Sequence, residues 1–266
     1  MKKFIKIGLL VLPFISYAQT DSLKQSPLEF TAGIQTNHLW RGLIISDKPM
    51  VSAMASLSLN KEKSLKLGVW GGTSISNEAD GTHYKEIDYF LKYEKNNLSI
   101  GVWDLYNSRR EAYLGANDIY EYDKSRTKHI IDLRTSYQLP EKFPLKIEAD
   151  VLLYGSADAL YNDNGDYDKN KYSTYVELSY PFIKNSTVNL NGFVGSAFVF
   201  NGKEGNYSLY GNGENNFQEN NFQVVNVGVT ASKNITVFNK KLPVSMTTMW
   251  NPTSKFARIQ IATTLF

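Results

Sequence analysis

The sequence lacks several features, and each absence excludes a class of protein. It contains no cysteine, so neither disulfide bonds nor thiol chemistry contribute to the fold or the function. After the N-terminal stretch no segment offers about 18 apolar residues in a row, which excludes transmembrane helices. Charge of one sign is not in excess, because 29 basic and 26 acidic residues leave a net charge of +3. This balance predicts no nucleic-acid partner.

The N-terminal residues have the composition of a secretory signal. Lysines stand close to the start, residues 7–15 are apolar apart from one proline, and small residues follow up to a cleavage point beside Gln19. The apolar stretch is too short to cross a bilayer as a helix, which takes about 20 residues. A buried N-terminal helix is the alternative. We predict a secretory signal peptide over residues 1–19 and an exported domain over residues 20–266.

Apolar residues recur at every second position in run after run. Valine, alanine and leucine alternate with serine and methionine over residues 51–59, and apolar residues alternate with Lys146, Glu148 and Asp150 over residues 145–153. A period of two is that of a β-strand, and no window of similar length sustains a period of 3.6 as well. Twelve strands are predicted near residues 28–41, 49–60, 64–76, 84–94, 97–107, 128–139, 144–155, 171–183, 187–200, 221–233, 242–251 and 255–266.

The connections between these strands alternate in length, as they do in outer-membrane barrels. The chain also ends on an aromatic residue, Phe266, and is rich in tyrosine and phenylalanine, which form girdles at the two interfaces of such barrels. We therefore predict an all-β fold: a transmembrane up-and-down antiparallel β-barrel of about twelve strands, in the outer membrane of a Gram-negative bacterium. The alternative is a soluble β-sandwich or lipocalin-like barrel, whose strands usually run about five or six residues.

The first half of the chain carries more specific motifs. In order they are Leu39-Trp40-Arg41-Gly42, Ser46-Asp47-Lys48-Pro49, Gly68-Val69-Trp70-Gly71, Glu86-Ile87-Asp88-Tyr89 and Gly101-Val102-Trp103. This order resembles the TorF-type porin family over about residues 30–106, and the rest of the chain matches it only in strand rhythm. The resemblance implies an outer-membrane channel with no known solute. In the repeated Gly-Val-Trp motif, the glycine is expected to make room for an indole on a neighbouring strand. Lumen packing is favoured for these tryptophans over a platform on which solutes stack.

The alternation also predicts which side chains face the lumen. Charged groups inside a barrel are expected to pair, because an unpaired ion is costly to bury. The expected lumen set has eight acids and six bases, and this small excess predicts a mild preference for cations. The acids are Glu29, Glu86, Asp88, Glu94, Asp132, Glu148, Asp150 and Glu177, and the bases are Arg41, Lys66, Lys92, Arg134, Lys146 and Arg258. Trp70 and Trp103 complete the predicted pore lining.

The sequence offers little for catalysis, and we predict no enzyme, no metal site and no cofactor. Of the three histidines, His38 and His129 fall near the outer rim, where a hydrolytic barrel would need one, but no serine lies at a distinctive spacing. Residues 162–168 are rich in Asn and Asp like a calcium loop, yet they fail the EF-hand register. A turn-rich surface loop is favoured there.

The function predicted from these features is a passive channel for small hydrophilic solutes. Its expected partners are outer-membrane lipid, the barrel-assembly machinery and the solute. The alternative is a non-conducting structural or adhesive barrel that acts through its long outer loops, residues 108–127 and 201–220. Loop composition does not separate the two functions.

Overall fold

The computed structural model describes residues 26–107, 118–185, 187–201, 208–210 and 222–265. The predicted signal peptide, the terminal Phe266 and parts of two predicted outer loops lie outside these residues. The strands of the barrel are β1 (Leu28–Gln35), β4 (Met50–Ser58), β5 (Leu65–Ser74), β6 (Lys85–Lys95), β7 (Leu98–Asn107), β8 (His129–Gln138), β9 (Lys146–Tyr154), β12 (Ser173–Lys184), β13 (Asn189–Val199), β14 (Gln223–Val237), β15 (Lys240–Asn251) and β16 (Phe256–Thr264).

Two small hairpins complete the set of strands. The first pairs β2 (His38–Trp40) with β3 (Leu43–Ser46), and the second pairs β10 (Ala159–Tyr161) with β11 (Tyr167–Asn170). Single 3-10 turns occur at Asp118–Tyr120 and Ser156–Asp158. In the described part of the chain, no helix is both long enough and apolar enough to cross a membrane.

The twelve long strands form one closed antiparallel barrel, in which each strand pairs with its neighbours along the chain. The barrel closes where β1 meets β16, through the residue pairs Gly33–Thr264, Ile34–Thr263 and Gln35–Ala262. The predicted fold class, an all-β up-and-down barrel of twelve strands, is confirmed.

Two of the inner connections are two-residue turns whose residues adopt a positive φ, and three of those four residues are asparagines, which tolerate it. Asn96 and Asn97 have φ of 50° and 68°, and Phe238 and Asn239 have φ of 47° and 62°. Two consecutive positive φ angles are what a two-residue type I′ hairpin turn requires. The second turn corrects a prediction, because β14 runs to Val237 and β15 begins at Lys240, where the sequence had predicted a longer connection.

The outer surface of the barrel is apolar. Leu91, Val102 and Ile259 are 48%, 44% and 59% exposed, and they lie on strands whose alternate residues are charged or polar. Monomeric soluble proteins rarely expose contiguous apolar patches larger than a few hundred Å². A lipocalin-like barrel would turn these residues inward, so the structure disagrees with that alternative.

One stretch of β14 departs from the predicted alternation. Over residues 225–231 valine and alanine alternate with polar residues or glycine, which predicts Val225 on the apolar outer face with Val227 and Val229, but Val225 is fully buried inside the barrel. The register of β13 against β14 shifts between Gly195 and Ser196, and such a bulge reorients side chains locally. Val225 therefore belongs to the interior.

Candidate functional site

The first outer connection folds into the barrel. The sequence had predicted one strand over residues 28–41 and an outer loop over residues 42–48, and this prediction was wrong, because β1 ends at Gln35. The chain then leaves the wall, and Asn37 makes two hydrogen bonds to β16. Its side-chain amide donates to the backbone carbonyl of Ile259 (3.0 Å), and its backbone carbonyl accepts from the side-chain amide of Gln260 (2.7 Å). The β2–β3 hairpin that follows crosses the lumen.

Glycine is required at the tip of this hairpin. Gly42 has a φ of 84°, and a Cβ there would lie 2.1 Å from the carbonyl oxygen of Val225 on the opposite wall. The amide nitrogen of Asn251, on β15, donates to the carbonyl of Gly42 over 2.9 Å. The hairpin tip is therefore fixed against β14 and β15.

Arg41, beside that glycine, lies at the centre of a buried ionic cluster. Its Nη2 is 2.9 Å from Oδ2 of Asp132 and 2.7 Å from Oδ2 of Asp150, and its Nη1 donates to the hydroxyl of Tyr210 over 2.6 Å. The side chains of Arg41, Asp132 and Asp150 are 5%, 0% and 1% exposed. Nε of Arg134 donates to Asp132 over 2.7 Å. We call these five residues the Arg41 network.

Aromatic rings surround the guanidinium of Arg41. Its Cζ lies 4.6 Å from the ring centre of Trp40 and 5.7 Å from those of Tyr175 and Tyr210. Cation–π contacts of this kind gain strength where water is excluded. Tyr175 and Tyr210 also belong to a small apolar core inside the barrel, together with Leu152, Ala197 and Val225.

A cavity of about 640 Å³ lies on the outer side of the Arg41 network. The hairpin supplies one wall, and β6, β7 and the start of β8 supply the other. Most of the surface facing this space is apolar, although apolar and polar residues line it in equal number. The polar residues are His38, Glu86, Asn107, Arg126, Thr127, Lys128 and Ser156. The apolar members include Trp40, Leu43, Ile45, Leu105, Ile130 and Leu209.

A second cavity, of about 400 Å³, lies on the inner side of the Arg41 network and is lined mainly by charged and polar groups. It borders three bases and three acids, namely Lys92, Arg134, Lys146, Glu94, Glu148 and Asp150. Trp103 also borders it, with its ring 4.3 Å from that of Phe90 and 4.2 Å from Cζ of Arg134. The Arg41 network and the stacked side chains of Phe90, Trp103 and Arg134 therefore separate the two cavities.

Most of the other predicted pore-lining charges are engaged in pairs. Lys66 bonds across strands to Glu29 (2.8 Å), whereas Lys92–Glu94 (3.0 Å) and Lys146–Glu148 (2.7 Å) pair along a single strand. Arg258 pairs with Asp47, at the root of the hairpin, over 3.0 Å. Glu177 accepts from the hydroxyl of Tyr175 and from Asn226. Glu86 and Asp88 are buried side by side on β6.

The glycines of the repeated Gly-Val-Trp motif do not serve the purpose predicted for them. A Cβ on Gly68 would meet the ring of Phe90, and a Cβ on Gly101 would meet Lys92 and the backbone of Leu91. The glycine that leaves room for an indole is Gly72, beside Trp70. Trp70 stacks on His38 at 5.9 Å, so both tryptophans of the motif are packed against other rings.

Of the two histidines considered for a hydrolytic barrel, His129 is engaged at both ring nitrogens. His129 is completely buried, its Nδ1 lies 2.6 Å from Oδ1 of Asp104, and its Nε2 lies 2.9 Å from the carbonyl oxygen of Ile119. Neither ring nitrogen is left to activate a nucleophile.

The Asn- and Asp-rich loop forms the turn of the β10–β11 hairpin. Oδ1 of Asn162 accepts from the backbone N–H groups of Asn164 and Asp166. Asp158, in the same connection, accepts from the backbone N–H and the hydroxyl of Ser173, while burial raises its pKa. Within the described residues there is no group of three or more side chains placed to hold a metal ion.

Two tyrosines of the site were not predicted. Tyr175 has the same parity as Glu177 on its strand, so the alternation alone was sufficient to place it in the lumen. Tyr210 lies in a glycine- and asparagine-rich connection without periodicity, 169 residues from the arginine that it contacts. No local signal in the sequence identifies such a contact.

No family model matches the chain, and no curated protein matches it, so the resemblance to the TorF-type porin family stays a prediction. Among solved structures, the chain is similar to an outer-membrane channel from Pseudomonas putida F1, with a TM-score of 0.46 and 14% identity over 93% of this chain and 97% of that chain. It is also similar to the translocator domain of the autotransporter NalP from Neisseria meningitidis, with a TM-score of 0.39 and 12% identity over 91% of this chain and 88% of that one.

Proposed function

We propose that the protein is an outer-membrane channel of a Gram-negative bacterium through which small hydrophilic solutes diffuse passively. The observation that carries this proposal is a closed barrel that is apolar outside and holds two cavities, of about 640 and 400 Å³, in line inside it. A lumen of this size lies between small barrels filled by side chains and porins with an open aqueous channel. Outer-membrane lipid and the barrel-assembly machinery would be its partners in the cell.

The Arg41 network is the barrier in the proposed path. A solute entering from outside reaches the apolar cavity first, then meets the buried ion pairs, and then the charged inner cavity. Diffusion needs no cofactor and no energy source, because the gradient of the solute drives it. The channel should therefore show small unitary currents, limited by the space that opens beside the Arg41 network.

Channel activity is tested directly by incorporating the purified, folded barrel into planar lipid bilayers. We expect discrete current steps over a range of voltages. A folded barrel without any current steps would contradict the channel and leave the structural or adhesive alternative.

The inner cavity should control ion selectivity. It borders three acids and three bases, so changing Glu94 and Glu148 to glutamine leaves an excess of positive charge. In a salt gradient the reversal potential should shift toward anion selectivity, and screening should weaken this shift as the salt concentration rises. The matched control changes Lys92 and Lys146 to glutamine, which should shift the potential the opposite way. Equal potentials for both variants would show that ions do not pass through this cavity.

The topology predicts which connections are accessible from outside the cell. The chain has no native cysteine, so single cysteines report unambiguously. A cysteine at Asp163, in the β10–β11 turn, should react with a membrane-impermeant maleimide on intact cells. A cysteine at Glu62, between β4 and β5, should react only after the outer membrane is permeabilised. The reverse pattern would mean that the barrel has the opposite orientation.

A further inference from the structure

The outer cavity differs from the rest of the lumen. Its walls are apolar and come from the inserted hairpin on one side and from Leu105 and Ile130 on the other. A volume of about 640 Å³ lies within the range of small-molecule sites, about 300–1,000 Å³. Such sites combine apolar walls with a few fixed polar groups that orient the ligand.

Glu86 is the acid among the described residues that line this cavity. It is buried, and its Oε2 accepts from the hydroxyl of Tyr84 (2.8 Å) and from the amide of Asn107 (2.7 Å). These two donors hold the carboxylate in one orientation. Neither donor carries a charge, so neither compensates a negative charge on Glu86.

Asp88 adds a second acid beside it. Asp88 is 4% exposed, and its Oδ1 has no hydrogen-bond partner among the residues that the structure describes. No basic side chain of those residues lies within ion-pairing distance of Glu86 or Asp88, in contrast to the other lumen acids that pair with Lys or Arg. Asp88 and Glu86 are hydrogen-bonded to each other, so a shared proton offsets part of the cost of burying them. A cation in the cavity would offset the charge that remains.

We infer that the outer cavity binds a small organic cation with an apolar body, whose ammonium group faces Glu86 and whose body packs against the apolar walls. The inference names the solute class of the proposed channel and so rests on that proposal. Two bases, Arg126 and Lys128, also border the cavity. Lys128 is half-buried and engaged in an interaction of its own. Arg126 does not oppose the cation, because its guanidinium is 69% exposed and bonded to Glu121. An exposed, screened pair contributes little to the field at Glu86.

Calorimetric titration of the barrel in lipid nanodiscs tests this inference without requiring conduction. The probes are phenethylamine, the neutral 2-phenylethanol and the anion 3-phenylpropanoate, with empty nanodiscs as the blank. These compounds share an aromatic body and differ in the charge of the polar end. We expect phenethylamine to bind at least about tenfold more tightly than the alcohol, since hydrogen bonds between charged groups are roughly twice as strong as neutral ones.

Variants separate the polar group from the walls. Glu86→Gln should abolish the advantage of the amine over the alcohol, and Glu94→Gln, on the same strand face but in the inner cavity, should leave it unchanged. Ile130→Trp, which fills the cavity and keeps both acids, should remove binding of all three probes. Ile130→Trp therefore tests whether the probes bind in the outer cavity even if Glu86→Gln does not fold.

Several results would overturn the inference: equal binding of amine and alcohol, tightest binding of the anion, or no binding of any probe to the folded barrel. The outcome is distinguishable from that of the channel proposal. Selective amine binding by a barrel without current steps would support the binding site and contradict the channel. Current steps without amine binding would support the channel and contradict the binding site.

Discussion

Replacing Arg41 by alanine should raise the single-channel conductance several-fold. Arg41 links the inserted hairpin to Asp132 on β8 and Asp150 on β9. Removing one partner of a buried ion pair costs about 3–5 kcal/mol. Asp132 keeps Arg134 as a partner, but Asp150 loses Arg41. The hairpin tip is otherwise held by the hydrogen bond from Asn251 to Gly42 and by the packing of Trp40 and Leu43 against the apolar core. Water reaches the uncompensated Asp150 only when the hairpin moves aside, so we expect the hairpin to leave the lumen.

The barrel itself should survive this substitution, because its wall is held by strand pairing that does not involve the hairpin. Heat-modifiable mobility on a gel would verify that the variant is folded. Changing Asp132 and Asp150 together to asparagine should have a similar effect on conductance, since it removes the same attachment from the other side.

Lys92→Ala is the matched control for the opening of the channel. Lys92 also faces the lumen, but its pair with Glu94 is partly exposed, at 24% and 41%, and such pairs contribute about 0–1 kcal/mol. Its conductance should stay close to that of the wild type. A folded Arg41→Ala barrel with unchanged conductance would show that the Arg41 network is not the barrier.

Replacing Leu91 by arginine should destabilise the folded barrel by about 2–4 kcal/mol, the cost of an arginine on the lipid face near the bilayer midplane. Leu91 lies near the middle of β6, is 48% exposed and sits between Leu67 and Val102 on the two neighbouring strands. Urea titration of the barrel in lipid vesicles measures the change.

The neighbouring residue is the control for this second substitution. Lys92 points to the other side of the wall, so Lys92→Gln should change the free energy of unfolding by less than about 1 kcal/mol. Equal losses at the two positions would contradict an outer surface that meets lipid. They would also undermine the proposed location in the outer membrane, because a soluble barrel has no reason to reject an arginine at an exposed position.

Strand number and face were predictable because both follow from local patterns. A residue on a strand faces the opposite side from its neighbour, so one face of each strand can be identified without knowing its partners. Ile259 and Ile261 on β16 illustrate this, since the sequence alone places them together and both are exposed in the structure. Val225 shows the limit, because it is the unpaired residue of a bulge on β14, opposite Gly195 and Ser196, and the alternation does not reveal such a bulge.

What only the tertiary structure decided is the content of the lumen. The sequence placed Arg41 among the lumen charges but on a barrel strand, whereas its partner Asp132 is 91 residues away and Tyr210 is 169 residues away. Contacts at such separations depend on which walls face each other once the barrel closes, and a period of two contains no information about that. The sequence by itself therefore determined a twelve-stranded barrel with a charged interior. The closed barrel decided that a hairpin crosses this interior and divides it into an apolar outer cavity and a charged inner one, because a buried arginine is stable only where opposite charges meet it.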